Sequence, residues 1–231
     1  MISSVINKLN ILNTPVQAIS ISNSQNLTLN QITIDNSAGD VNGLGHNTDG
    51  FDVGDSTSIF ITGAIVKNQD DCLAINSGTD IHFTGGMCSG GHGISVGSIG
   101  GRDNNVVKTV VVSGSTISNS QNGVRIKTIS GATGSVSDVT YSDITLDKIT
   151  DFGIVIRQDY QNGNAGGPLT NGVPITGLTL SNVKGTVTSS GEDIFIRCGV
   201  GSCSDWTWTG ISVTGGGIKN NCTNAPTGIA C

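Results

Sequence analysis

Residues 73–96, LAINSGTDIHFTGGMCSGGHGISV, contain one full cycle of the pattern that organises this chain. The stretch opens on Leu73-Ala74-Ile75, runs through Ile81-His82-Phe83 and then Cys88, and closes on Ile94-Ser95-Val96, where the opening phrase returns. Cutting the chain roughly every twenty to thirty residues lines up the same phrases on both sides. Apolar residues matching Ile81 stand at Leu27, Ile59, Val110, Val139, Leu178 and Trp206, each with an apolar partner two residues on: Leu29, Ile61, Val112, Tyr141, Leu180 and Trp208. Five residues after that partner come Ile34, Val66, Cys88, Ile117, Leu146 or Val213. The third phrase recurs as Phe51-Asp52-Val53, Val124-Arg125-Ile126, Ile154-Val155-Ile156 and Ile194-Phe195-Ile196. Alternation of this kind turns one face inward and one outward. Its repetition predicts a solenoid, in which each coil buries its apolar face against the next.

No helical periodicity separates the phrases. Leucine-rich repeats need more Leu and a fixed Asn-containing consensus, and ankyrin or tetratricopeptide repeats need helices. The surviving architecture is all-β, a right-handed parallel β-helix with about three short strands per coil. Composition agrees: 34 Gly, 4 Pro and 12% charged residues. One slot, two residues after the second phrase, holds Asn36, Asn68, Gly90, Asn119 and Gly215. Asn and Gly tolerate positive φ, so this slot is expected to be a left-handed corner; ordinary loop asparagines are the plainer alternative.

The chain of 231 residues is long enough for one domain with a continuous core. Its net charge of −6 argues against a nucleic-acid partner, and any anionic substrate must be held by local cations. Six cysteines fall into three close pairs: Cys72 with Cys88, Cys198 with Cys203, Cys222 with Cys231. Six allow fifteen pairings, among which sequence does not choose. The first pair lies on successive coils, where strands sit about 4.8 Å apart, so that bridge is feasible. The spacings match no usual zinc site; disulfides are the expectation, and with them a secreted, extracellular setting. The sequons at Asn26 and Asn221 permit glycosylation there, the second around a Cys. No signal peptide is visible, and no apolar run is long enough to span a membrane. Solenoid phrases begin almost at once, without an obvious cap. The expectation is a single domain over residues 1–231, the C-terminal portion of a longer secreted protein acting as a monomer.

Two places before each third phrase stand Asp49, Asp71, His92 and Asn122, on four successive coils. In-register residues stack, so Asp49, Asp71 and His92 should form a column at one strand edge, with Asp70 beside Asp71 and pointing elsewhere. A single Asp at a corner is an ordinary turn former, and a lone His92 an ordinary turn residue. Three carboxyls within a patch about 5–10 Å across are costly as a purely structural device. Like charges raise one another's pKa, which can leave one carboxyl protonated and another ionised, as hydrolysis of a glycosidic bond requires. Arg125 and Lys127 occupy the outward positions of the following coil. They read either as a solvated face balancing the acids or as a grip on substrate carboxylates. Arg157 follows in register with Lys127, and Tyr160 lies just beyond, as a sugar-flanking ring or a packed loop residue.

These residues resemble a known family. Asn47-Thr48-Asp49, Asp70-Asp71, Gly91-His92-Gly93 and Arg125-Ile126-Lys127 are similar to the four signature motifs of polygalacturonases, glycoside hydrolase family twenty-eight. The similarity runs from about Val5 to Cys231 and looks most like the fungal endo-acting members. Each motif alone is weak; four in order are specific. The resemblance implies a right-handed parallel β-helix that hydrolyses α-1,4 links between galacturonates with inversion, using no metal or other cofactor. It implies Asp70 as general acid, Asp49 and Asp71 as the pair that orients and deprotonates water, and His92 as the residue that tunes the acid. Arg125 and Lys127 grip the substrate carboxylate, and Tyr160 shapes that subsite. Inversion calls for acid and base carboxyls about 6.5–9.5 Å apart. The rivals are a calcium-dependent pectate lyase, a non-catalytic glycan-binding β-helix and an inactive paralogue.

Overall fold

The computed structural model describes residues 1–161 and 166–231. Its strands form two sheets of 15 and 8 strands, and every ladder is parallel. The chain winds as a parallel β-helix. In the larger sheet Leu27, Ile59, Ile81, Val110, Val139 and Leu178 pair in one register, and Leu29, Ile61, Phe83, Val112, Tyr141, Leu180 and Trp208 in the next inward slot. Further round, Ile34, Val66, Cys88, Ile117 and Leu146 stack. In that column Gly185 comes next, followed by Val213. The smaller sheet carries the third phrases in the expected alignment, from Phe51 through Leu73, Ile94, Val124 and Ile154 to Ile194. Among the described residues no helix is long and apolar enough to cross a membrane.

These columns are the core. Leu29, Ile59, Ile81, Val110 and Leu178 are all fully buried. Each such side chain contributes about 1.5–3 kcal/mol, more than a typical surface ion pair at about 0–1. The interior is therefore what holds coil to coil. Trp206 and Trp208, the last members of the two columns, are half-buried, and their rings lie parallel with centroids 6.3 Å apart. Tyr141 fills a slot otherwise occupied by apolar residues, and its hydroxyl donates to the carbonyls of Ile94 and Arg125 at 3.4 and 3.3 Å.

The corner slot departs from expectation. Gly90, Asn119 and Gly215 have positive φ (76°, 49° and 107°), but Asn36 has φ −107° and Asn68 is not left-handed either. Their side-chain amides explain both. The Asn36 amide accepts from the Thr14 N–H and donates to its hydroxyl. Asn68 Nδ2 donates to the carbonyls of Thr48, Asp70 and Asp71, each at 2.9 Å. Asparagine is used here as a cross-link between coils.

The cysteines pair as Cys72–Cys88, Cys198–Cys203 and Cys222–Cys231. The first bond joins successive coils with Cα atoms 5.9 Å apart and closes a sequence separation of 16. Loops of that size contribute about 3 kcal/mol in the chain-entropy account. Cys72 follows Asp71 directly, so the bond also fixes the backbone that carries the Asp70-Asp71 pair.

Candidate active site

The outward residues of the smaller sheet make a continuous floor. Asp52, Ala74, Ser95, Arg125, Val155 and Phe195 succeed one another, one per coil, in parallel register. At the strand entrances above this floor stand Asp49, Asp70, Asp71 and His92. Gly91 and Gly93 let the chain turn tightly around His92: both have positive φ, and a Cβ on Gly91 would lie 2.1 Å from the Asp70 carbonyl oxygen. The Thr48 hydroxyl accepts from the Gln69 N–H and donates to Gln69 Oε1, both at 2.9 Å. With the Asn68 amide, this locks the Asp49 corner to the Asp70-Asp71 corner.

A groove of about 400 Å³ runs over these coils, lined among others by Asp70, His92, Arg125, Lys127, Arg157 and Tyr160. Asp70, His92, Arg125, Lys127 and Tyr160 therefore meet in one groove; Asp71 is buried behind Arg125 and Lys127, and Asp49 stands near enough to feel the charges of Asp70 and Asp71 without being part of the groove lining. Asp49, Asp71 and His92 share a backbone column, but their side chains diverge. His92 Nδ1 bonds Asp70 Oδ1 at 3.0 Å, and the same oxygen accepts the Asp71 N–H at 2.8 Å. Asp71 is buried and faces the cations. Its Oδ1 accepts from Ser95 Oγ at 2.7 Å and from Arg125 Nη2 at 2.9 Å. Its Oδ2 accepts from Arg125 Nη2 at 3.2 Å and from Lys127 Nζ at 3.0 Å. A carboxylate offers about four lone pairs, and all of those on Asp71 are engaged. Arg125 and Lys127 thus line the groove while paired to an acid two coils away. Lys127 Nζ also lies 5.3 Å from the centre of the Tyr160 ring.

Donor atoms of Asp70, Asp71 and His92 lie within 4.8 Å of one another. Two consequences follow. The nearest oxygens of Asp70 and Asp71 are closer than the separation of about 6.5–9.5 Å between the carboxyls of an inverting pair, although the two carboxyls face different partners. The same three groups suit a metal poorly. Asp70 and His92 are bonded to each other, and Asp71 is held by two cations that would repel a divalent ion.

Protonation is also redistributed. Burial, then the charges of Asp70 and Asp71, push Asp49 up to about 7. Burial alone would raise Asp70, but the His92 hydrogen bond, the His92 charge and the Asp71 N–H outweigh it and hold Asp70 below the usual carboxylate range. Of Asp49 and Asp70, Asp49 therefore keeps its proton to the higher pH. A carboxyl raised in the folded state binds a proton that the unfolded chain has released, so its contribution to stability is present in acid and lost as pH rises. We expect thermal stability to decline between about pH 4 and pH 7, the window set by Asp49. Melting curves across pH check this: Asp49→Asn should flatten the slope, with a remainder from Asp52, which burial also raises.

Several contributors escaped the sequence reading. Ser95, which joins Asp71 to Arg125, had no signal in the sequence beyond its outward position, and Asn68, read there as a corner residue, anchors three carbonyls. Asp159 is fully buried beneath Arg157 and Arg197, at 2.7 and 3.1 Å from their Nε atoms. The sequon asparagines Asn26 and Asn221 are both exposed.

Residues 1–231 match the sequence model of glycosyl hydrolases family 28. A polygalacturonase of Cochliobolus carbonum is 63% identical over 229 residues, covering 99% of this chain and 63% of that protein. The structure of endopolygalacturonase I from Stereum purpureum, complexed with two galacturonates, aligns with a TM-score of 0.87 and 41% identity over 95% of this chain and 65% of that one. An endo-xylogalacturonan hydrolase from Aspergillus tubingensis aligns with a TM-score of 0.84 and 29% identity over 98% of this chain and 64% of that one. The chain thus spans roughly three fifths of the length of the curated relatives it matches. With the family's sequence model matched from end to end, this chain belongs to family 28 of the glycosyl hydrolases.

Proposed function

We propose that the protein hydrolyses α-1,4 links between galacturonate residues of polygalacturonate, the de-esterified backbone of pectin, cutting within the chain and inverting the anomeric centre. The observation that carries this reading is the juxtaposition, in one groove, of Asp70 and His92 with Arg125 and Lys127. Carboxyls supply the proton and the water activation that glycoside hydrolysis needs, and the cations suit a sugar that is itself an anion. The endo-acting names of the relatives and the galacturonates bound to the Stereum purpureum enzyme support the same substrate.

In this mechanism Asp70 protonates the leaving oxygen, and a water oriented by Asp49 and Asp71 attacks from the opposite face, Asp71 Oδ2 accepting from it once the substrate carboxylate has drawn Lys127 away. Asp71 is a poor nucleophile here, because four hydrogen bonds occupy its lone pairs. That favours a water-mediated, inverting route despite the short Asp70–Asp71 separation. Substrate binding would raise Asp70 toward the protonated form that the acid role needs, through the uronate charge and the displacement of water, and Asp49 would serve as base in its ionised form. Arg125 and Lys127 receive the substrate carboxylate, and Tyr160 flanks its ring. One chain supplies all these groups, so a monomer suffices. Three disulfides fit an extracellular place of action, where Asn26 and Asn221 are candidate glycan acceptors.

The test is a reducing-end assay on polygalacturonate, with product sizes and anomers followed by NMR. The expected result is intermediate oligomers first, released with β reducing ends. Unsaturated ends that appear only with calcium would make it a lyase, and α-anomers released first would replace inversion with retention.

A further inference from the structure

We propose that Ser95 is a positioning residue that aims the Arg125 guanidinium at the substrate carboxylate, through a closed ring of hydrogen bonds with Asp71. This rests on reading the groove as a galacturonate site. Ser95 occupies the floor slot between Ala74 and Arg125 and is fully buried. Its hydroxyl donates to Asp71 Oδ1 at 2.7 Å and accepts from Arg125 Nε at 2.9 Å. Arg125 Nη2 closes the ring on the same Asp71 oxygen at 2.9 Å.

The direction of each bond is fixed by chemistry. An ionised carboxylate can only accept, and a guanidinium can only donate. Whatever lies between them must do both, and a hydroxyl is the smallest side-chain group that can. The ring uses Nε and one edge of the guanidinium and so prevents rotation about its last torsions. The groove-lining donors of Arg125 that remain then face the sugar in a set orientation. A bidentate grip on a carboxylate depends on that orientation, which a planar fork cannot recover by flexing. Alanine at 95 would leave Asp71 and Arg125 touching through Nη2 but would release the Nε edge.

The experiment is a double-mutant cycle in the full-length protein, reading kcat/KM on oligogalacturonates together with melting temperature. Ser95→Ala should lower kcat/KM about tenfold while the fold is retained, since small misplacements of a substrate-holding group cost this much or more. In an Arg125→Gln background the same change should cost less than about twofold, because the group that Ser95 aims is gone. Equal losses in both backgrounds overturn the proposal, as does a Ser95→Ala protein that fails to fold, which would make Ser95 a fold determinant. A wild-type protein that cleaves no galacturonate polymer overturns the substrate reading and this proposal with it, an outcome distinct from an active wild type whose two losses add.

Discussion

Asp70→Asn is expected to lower kcat on polygalacturonate by about a hundredfold or more while leaving oligogalacturonate binding nearly unchanged. Asparagine matches the shape of aspartate. Its amide oxygen can still accept the Asp71 N–H and meet His92, as Asp70 Oδ1 does now. The loss is confined to the acidic proton, and positioned proton transfer contributes about 10²–10⁴ to rates of this kind. Arg125, Lys127 and Tyr160 stay where they are, so the affinity that they supply survives. Calorimetry with an oligogalacturonate and the reducing-end assay, run on one preparation, separate the two quantities. A variant as fast as wild type would leave the protein a glycan-binding β-helix whose acids do no chemistry.

The second large effect is on stability. Asp71 is almost fully buried, and it is the shared counter-ion of Arg125 and Lys127, whose side chains are 13% and 8% exposed. Removing one member of a buried ionic cluster leaves uncompensated charge, and breaking such pairs costs about 3–5 kcal/mol. Asp71→Asn keeps the volume and some hydrogen bonding but removes the negative charge, which leaves two cations beside one another at the groove floor. We expect its urea midpoint to fall by an amount in that range, and activity to fall with it. Asp71→Asn combined with Lys127→Met removes one of the stranded charges and should recover part of the stability, though not the activity. A single variant within about 1 kcal/mol of wild type would mean that the cluster is solvated well enough to need no counter-ion.

The core was legible in the sequence because its information is local and periodic. The alternation at Ile81 and Phe83, and again at Ile94 and Val96, specifies both the strand and its inward face, and parallel stacking carries the register from coil to coil. The backbone column of Asp49, Asp71 and His92 followed from the same register, whereas the partners that their side chains take did not. What escaped was anything that skips a coil or depends on accumulated burial. Arg125 lies 54 residues from Asp71 and reaches it past Ser95, an arrangement that column alignment does not reveal. The raised Asp49 depends on how much water several coils together exclude, and the lowered Asp70 on the hydrogen bond and charge of His92. The Asn36 and Asn68 corner was misread because residue type signals left-handed backbone and amide cross-linking with the same letter.

The floor of the groove takes one residue from each winding of the chain, from Asp52 through Ser95 and Arg125 to Phe195. On the proposed reading a bound polymer would lie across several of these rungs, and exchanging one rung leaves the height of the others untouched. The floor can thus be altered one winding at a time, away from Asp49, Asp70 and Asp71. Inserting a whole winding between Ser95 and Arg125, which pair directly, would be of another kind, since it would break the bonds that tie Arg125 to Ser95 and Asp71.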